Sequence, residues 1–186
     1  RDREHFEAVF ERCTANILLQ VEELRRTASE FSLYSEIPRS EKLPGELGEI
    51  VAEIVDGYRA APPPGVVIRF RGPTRPLAAE LDRRLVGRAV RNLIENSLRA
   101  QANGGEIEVE VGGEDGTGFV RVADRGPGVA PELLGRILEP YFSTQAGGTG
   151  LGLPIARRVA AEHGGDLAVR NREGGGFEVT MTIPLQ

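Results

Sequence analysis

Four short segments hold residue types that could do chemistry together. Asp124-Arg-Gly-Pro-Gly128 sets a carboxylate at the head of a glycine-rich turn, Glu139-Pro-Tyr-Phe142 brings two adjacent aromatics, and Gly148-Thr-Gly-Leu-Gly152 is nearly bare main chain. Upstream, Asn92-Leu-Ile-Glu-Asn-Ser97 carries two carboxamides four residues apart, so on a helix Asn92 and Asn96 share a face. A carboxylate only accepts hydrogen bonds, so Asp124 suits a ligand edge that donates and rejects one that presents a carbonyl. Free amides at a helix start favour phosphate, and glycines let it come close. A carboxamide oxygen suits a hard cation such as Mg²⁺, which keeps waters and phosphate oxygens for its other ligands. Taken singly, each segment has a plain alternative: capping asparagines, an ordinary Asp-Gly turn, a flexible loop. In one order they describe a nucleotide site.

The remaining reactive residues are few. The one cysteine, Cys13, excludes an internal disulfide and falls on an apolar helical stripe, where packing is its expected role. His163 ends a helical stretch just before Gly164, a position where an imidazole caps carbonyls. His5 is expected on a helix surface. A formal charge of −5 over 186 residues argues against a nucleic-acid surface, which needs clustered Lys and Arg. No apolar run near 20 residues exists, no signal peptide is evident, and the chain does not begin with Met. It reads as a soluble, cytoplasmic piece of something larger.

Several elements must position these residues. From Asp2 to about Ile37, Phe6, Phe10, Cys13, Ile17, Gln20, Leu24, Thr27, Phe31 and Tyr34 recur in alternating steps of four and three. That is a heptad seam, which one helix cannot bury alone, so self-association is expected. Pro38 and Pro44 bracket a polar linker over 38–45, and residues 46–186 form the second unit. There, helical spacing begins at Leu47 and stops at Ala61-Pro-Pro-Pro-Gly65; a strand follows at Val66 to Phe70, a short one near Leu77, and a helix at about Asp82 to Gln101. Glu106 to Val111 alternates strictly, Gly112 to Gly116 reads as a hairpin loop, and Phe119 to Ala123 returns. A helix-like stretch at Pro131 to Leu138, a helix at about Leu153 to His163, and strands at Asp166 to Asn171 and Phe177 to Pro184 complete the chain. Hairpins and helices in separate runs indicate an α+β sandwich rather than a doubly wound parallel sheet.

The motif set resembles the catalytic, ATP-binding domain of sensor histidine kinases, whose core is the Bergerat fold, over about Pro44 to Gln186. The fold so implied is a largely antiparallel mixed sheet with helices on one face. The first 37 residues are similar to the second helix of the dimerisation and phosphoacceptor hairpin, and the Cys13 to Val21 stretch, with Ser29-Glu-Phe-Ser32, is similar to the NtrY-type nitrogen-regulation branch. The resemblance implies ATP and Mg²⁺ as ligands. It gives Asn96 to the metal with Asn92 assisting, Arg99 to phosphate, and Asp124 to the adenine exocyclic amine beside Gly126 and Gly128. It gives Gly148, Thr149, Gly150, Leu151 and Gly152 to the phosphates, residues 143–147 to a lid, and Tyr141 and Phe142 to an aromatic box at the lid base. Gln145 departs from the pattern, since close relatives often place a Lys there.

Neither histidine sits in the His-Glu-x-x-x-Pro arrangement of family acceptors, so the acceptor is expected upstream of this sequence. No catalytic residue beyond those that position ATP is expected here. The implied activity is transfer of the ATP γ-phosphoryl to that histidine, for relay to the receiver domain of a response regulator. The implied assembly is a homodimer through the N-terminal helix, with membrane attachment only through other parts of the protein. Two rivals stand beside this reading. Gyrase- or Hsp90-like ATPases place a Glu base at the position of Asn92, and a carboxamide takes no proton from water; anti-sigma-factor kinases generally carry that Glu too. A dimerisation module with vestigial nucleotide binding is the other.

Overall fold

The computed structural model describes residues 9–18, 20, 21, 24, 25, 28, 40–101, 104–144 and 148–186. Two compact units divide at Pro38–Arg39. In the first, every described residue is helical, forming α1. Its seam residues Phe10, Ile17 and Leu24 are solvent-exposed, as is Cys13, which therefore finds no packing within this single chain. The seam positions Phe6, Thr27, Phe31 and Tyr34 lie outside the described residues, as do His5 and Gln145.

The second unit is a two-layer sandwich. Its main sheet runs β2 (Val66–Arg71), β4 (Gly105–Glu114), β5 (Thr117–Asp124), β7 (Phe177–Pro184), β6 (Leu167–Asn171), with β2 parallel to β4 and every other pair antiparallel. Period-two alternation decides its two faces. Ile107, Val109 and Val111 of β4, Val120 and Val122 of β5, and Val179, Met181 and Ile183 of β7 are buried. They form a core with α2 (Leu47–Ala60), α3 (Arg83–Ala100) and α4 (Gly152–Glu162). The opposite face carries a charge ladder: Arg69 pairs with Glu106, Arg71 and Arg121 with Glu110, and Arg170 with Glu178.

Three local readings are corrected. Strand β4 runs on to Glu114, so the β4–β5 connection shrinks to Asp115 and Gly116, both at positive φ as a tight two-residue hairpin turn requires. Gly112 is a strand residue, covered by the ring of its cross-strand partner Phe119. Across the end of the stretch read as linker, Leu43–Glu46 forms strand β1, antiparallel to β3 (Ala78–Leu81). The helix-like stretch from Pro131 closes only one 3₁₀ turn, Pro131–Leu133, before a series of turns. With Gly135 in its middle, Pro140 at its end and Ile137 as its one buried side chain, it lacks the apolar stripe that would hold a helix.

Asp82 starts α3 and does more than cap it. Its Oδ1 accepts from the Arg84 and Leu85 amides at 3.0 and 3.2 Å, and Oδ2 accepts from the Glu41 amide at 3.1 Å. Its own N–H donates to Nε2 of buried His163 at 3.0 Å, while Nδ1 of that ring donates to the Val159 carbonyl at 2.7 Å. These partners fix the Nδ1–H tautomer. Capping was the role expected of His163; the ring also ties the end of α4 to the start of α3.

Burial pushes the Asp82 carboxyl up, but the three amides outweigh it and hold its pKa below the ordinary value of 3.8. A depressed folded pKa means that stabilisation is complete above the unfolded value and is lost as pH falls through the folded one. Asp82→Ala is expected to cost about 1–2 kcal/mol, or several degrees of Tm. Asp82→Asn is expected to flatten the fall of Tm below about pH 4. Thermal denaturation across that range checks both outcomes.

Candidate functional site

The register of β5 places Asp124. Val120, Val122 and Asp124 alternate onto the helix-covered face, so the strand ends with a carboxylate at 1% exposure opposite fully buried Ile107. Main chain fixes one of its oxygens: Oδ1 accepts from Gly126 N at 2.8 Å and from Phe177 N at 3.3 Å. The other, Oδ2, is buried and has no partner among the described residues. A buried acceptor without a donor is costly, which makes Oδ2 a strong recogniser of a ligand N–H. Gly126 thus turns its amide to the carboxylate rather than lining the cleft.

Helix α3 crosses behind the same cleft. Asn96 and Arg99 line it, one helical turn from each other. Asn92 does not: it is 7% exposed at the α3–α4 seam and donates through Nδ2 to the Gly152 carbonyl at 3.3 Å. Glu95 faces elsewhere, accepting from the Tyr58 hydroxyl of α2 at 3.3 Å. Burial, then the charge and hydrogen bond of Glu95, push the Tyr58 hydroxyl up to about 12. Asp124 is the sole carboxylate among the described residues lining the cleft.

The third wall is the glycine segment. Gly148, Thr149, Gly150 and Gly152 line the cleft, while Leu151 is 2% exposed and anchors the segment in the core. Leu151 stands at the cap of α4 without a side-chain cap, so the first amides of the helix remain for a ligand. Pro154 sits in the first turn, where no amide bond is lost. Gly150, at φ +67°, lies on the main chain of the aromatic pair; a Cβ there would come within 2.5 Å of the Tyr141 carbonyl carbon. Tyr141 N donates back to the Gly150 carbonyl at 3.1 Å. Phe142 lines the cleft under the Arg136 guanidinium, 4.3 Å from its ring centre, whereas the Tyr141 side chain is 59% exposed. Ser143 and Thr144 line the cleft as well, and the rest of the expected lid, 145–147, lies outside the described residues.

The cleft measures about 250 Å³. It brings together Asn96, Arg99, Asp124, Gly128, Phe142, Gly148, Thr149, Gly150 and Gly152, and leaves Asn92, Gly126, Tyr141 and Leu151 out of its lining. Sequence reasoning missed Val129, Ile137 and Phe177, which give it an apolar lining, and Asn171 and Arg172, which brace the Asp124 turn from β6–β7. Alternation along β7 was the signal available for Phe177; the others had none.

A sandwich with a buried acceptor at one end of a cleft and an uncapped helix start at the other defines an ATP-binding domain of the Bergerat type. The chain belongs to the histidine kinase-, DNA gyrase B- and HSP90-like ATPase family, whose pattern matches residues 81–186. It is 33% identical over its whole length to nitrogen regulation protein NtrY of Azorhizobium caulinodans, of which it covers 24%. Among solved structures, histidine kinase ThkA in complex with the response regulator TrrA superposes with a TM-score of 0.76 at 26% identity, over 91% of this chain and 49% of that one. Full-length ShkA in complex with AMPPNP gives 0.72 at 25% identity, over 91% and 36%. The chain thus spans about a quarter of that curated relative and is a histidine kinase catalytic domain by kinship.

Asp124→Asn tests the acceptor. Two main-chain donors hold the amide oxygen at the Oδ1 position, so the amide nitrogen takes the place of Oδ2 and an acceptor becomes a donor. Affinity for ATP is expected to fall on the order of 100-fold, with Tm nearly unchanged. Calorimetric titration beside a thermal melt measures both.

Proposed function

We propose that this chain binds ATP·Mg²⁺ in the cleft and passes its γ-phosphoryl to a histidine outside these residues, for relay to an aspartate of a response regulator. The buried Oδ2 of Asp124, which has no partner among the described residues, carries the reading, because it supplies the acceptor that an adenine amine needs. The glycine segment and the start of α4 would receive the phosphates, with Arg99 alongside. Asn96 would hold Mg²⁺ through its carboxamide oxygen, with Asn92 behind it; bound there, the ion neutralises phosphate charge. The protein itself contributes placement: purine at one end, phosphates at the other, and an apolar lining that excludes water. ATP-analogue binding by ShkA and regulator binding by ThkA, two relatives in structure, support the nucleotide and the partner.

The hydrolytic alternative needs a base near the γ-phosphate. Asn92 is a carboxamide, and Glu95 is taken up by Tyr58 on the α2 side. His163 is unsuited as phosphoacceptor, since both ring nitrogens are engaged in the core. The exposed seam of α1 supports a homodimer through that helix. Among the described residues no helix is long and apolar enough to cross a membrane. A cytoplasmic catalytic domain, with any membrane anchor in other parts of the protein, belongs to this proposal.

Incubating the chain with radiolabelled ATP·Mg²⁺ and a separate hairpin that carries an acceptor histidine is expected to leave acid-labile phosphate on the hairpin and none on this chain. Label on His163 or His5, or steady release of phosphate without an acceptor, would refute the kinase reading. Asn96→Ala is expected to remove the Mg²⁺ dependence of ATP affinity, read by titration with and without the metal.

A further inference from the structure

We infer that Asn171 is a positioning residue for base recognition: its carboxamide clamps the turn that presents Asp124. The inference rests on the ATP reading above and assigns a residue that the glycine motifs do not contain. Asn171 ends β6 and stands directly opposite Phe177, the residue whose amide holds Oδ1 of Asp124. Its Oδ1 accepts from Val129 N at 2.9 Å and its Nδ2 donates to the Val129 carbonyl at 2.6 Å. One side chain thus satisfies both main-chain groups of a residue that lines the cleft, as a neighbouring strand would. Gly128, at φ +72°, allows this approach, since a Cβ there would lie 2.9 Å from Asn171 Oδ1 and 3.2 Å from the Gly176 carbonyl.

The same hairpin grips the other end of the turn. Arg172 Nη1 donates to the Asp124 carbonyl at 3.2 Å while Nη2 pairs with Glu108 at 3.3 Å, and Gly176 lies directly against that carbonyl. The turn from Asp124 to Val129 is therefore held at both ends by residues 171–177. A recognition group must be fixed to within a fraction of an ångström to discriminate between bases. Without Asn171, Val129 loses both partners and the turn is held at one end only. The phosphate wall, built on α4, has no contact with Asn171 among the described hydrogen bonds. The clamp therefore acts on base selectivity and not on phosphate affinity.

The test compares ATP with inosine triphosphate, the same nucleotide with a carbonyl in place of the exocyclic amine. The wild-type chain is expected to prefer ATP. In Asn171→Ala the preference is expected to shrink about tenfold or more, through weaker ATP binding with inosine triphosphate affinity nearly unchanged. Asn171→Asp is expected to behave alike, because it sets an oxygen against the Val129 carbonyl. Asn171→Ser, which keeps one hydroxyl partner, is expected to fall between, and it serves in place of the alanine variant should that one not fold. An unchanged ratio in a folded variant, or an equal loss for both nucleotides, overturns the inference. A wild-type chain that binds neither nucleotide overturns the ATP reading itself.

Discussion

One carboxylate oxygen organises this domain. Burying a charged group is tolerated only when its lone pairs are met, and Asp124 meets half of that demand with two main-chain amides. The strand register puts the other half in the lining of a cleft. Everything nearby serves to keep that geometry: the alternation of β5, the Gly126 turn, and the hairpin that lies across it. A site of this kind is prepared before the ligand arrives, so little ordering is left to accompany binding.

The two ends of the cleft are built from different material. The Asp124 side rests on the sheet, where cross-strand hydrogen bonds fix positions closely. The glycine side rests on the start of α4 and on main chain stacked against the Tyr141–Phe142 turn. Helix α3 spans both, with Arg99 and Asn96 toward the cleft, Asn92 toward α4 and Glu95 toward α2. Four polar residues on one helix thus face three directions, and each direction has a separate task.

Much of this was legible in the sequence because the controlling signals are local. Strict alternation in Glu106 to Val111 marked a strand, and the helical spacing of Leu85, Val86, Ala89 and Leu93 marked α3. The glycine segments marked the walls. What stayed hidden depends on register and distance. Gly112 and Gly113 looked like loop residues, yet β5 carries Phe119 to cover one of them. Leu43–Glu46 looked like linker because its strand partner is more than 30 residues away. Asn171 has no motif around it, and only the meeting of β6–β7 with the Asp124 turn gives it a role. Asn92 shows the reverse: spacing put it beside Asn96, but the packing of α4 turned it into the seam.

The arrival of the chain at the second unit has a mechanical side. The carboxylate of Asp82 holds the Glu41 amide with one oxygen and opens α3 with the other. A shift at residue 41 would act on the carboxylate that opens the helix bearing Asn96. The lead-in segment and α3 therefore share one carboxylate beside the β1–β3 pairing, which couples the position of one to the other.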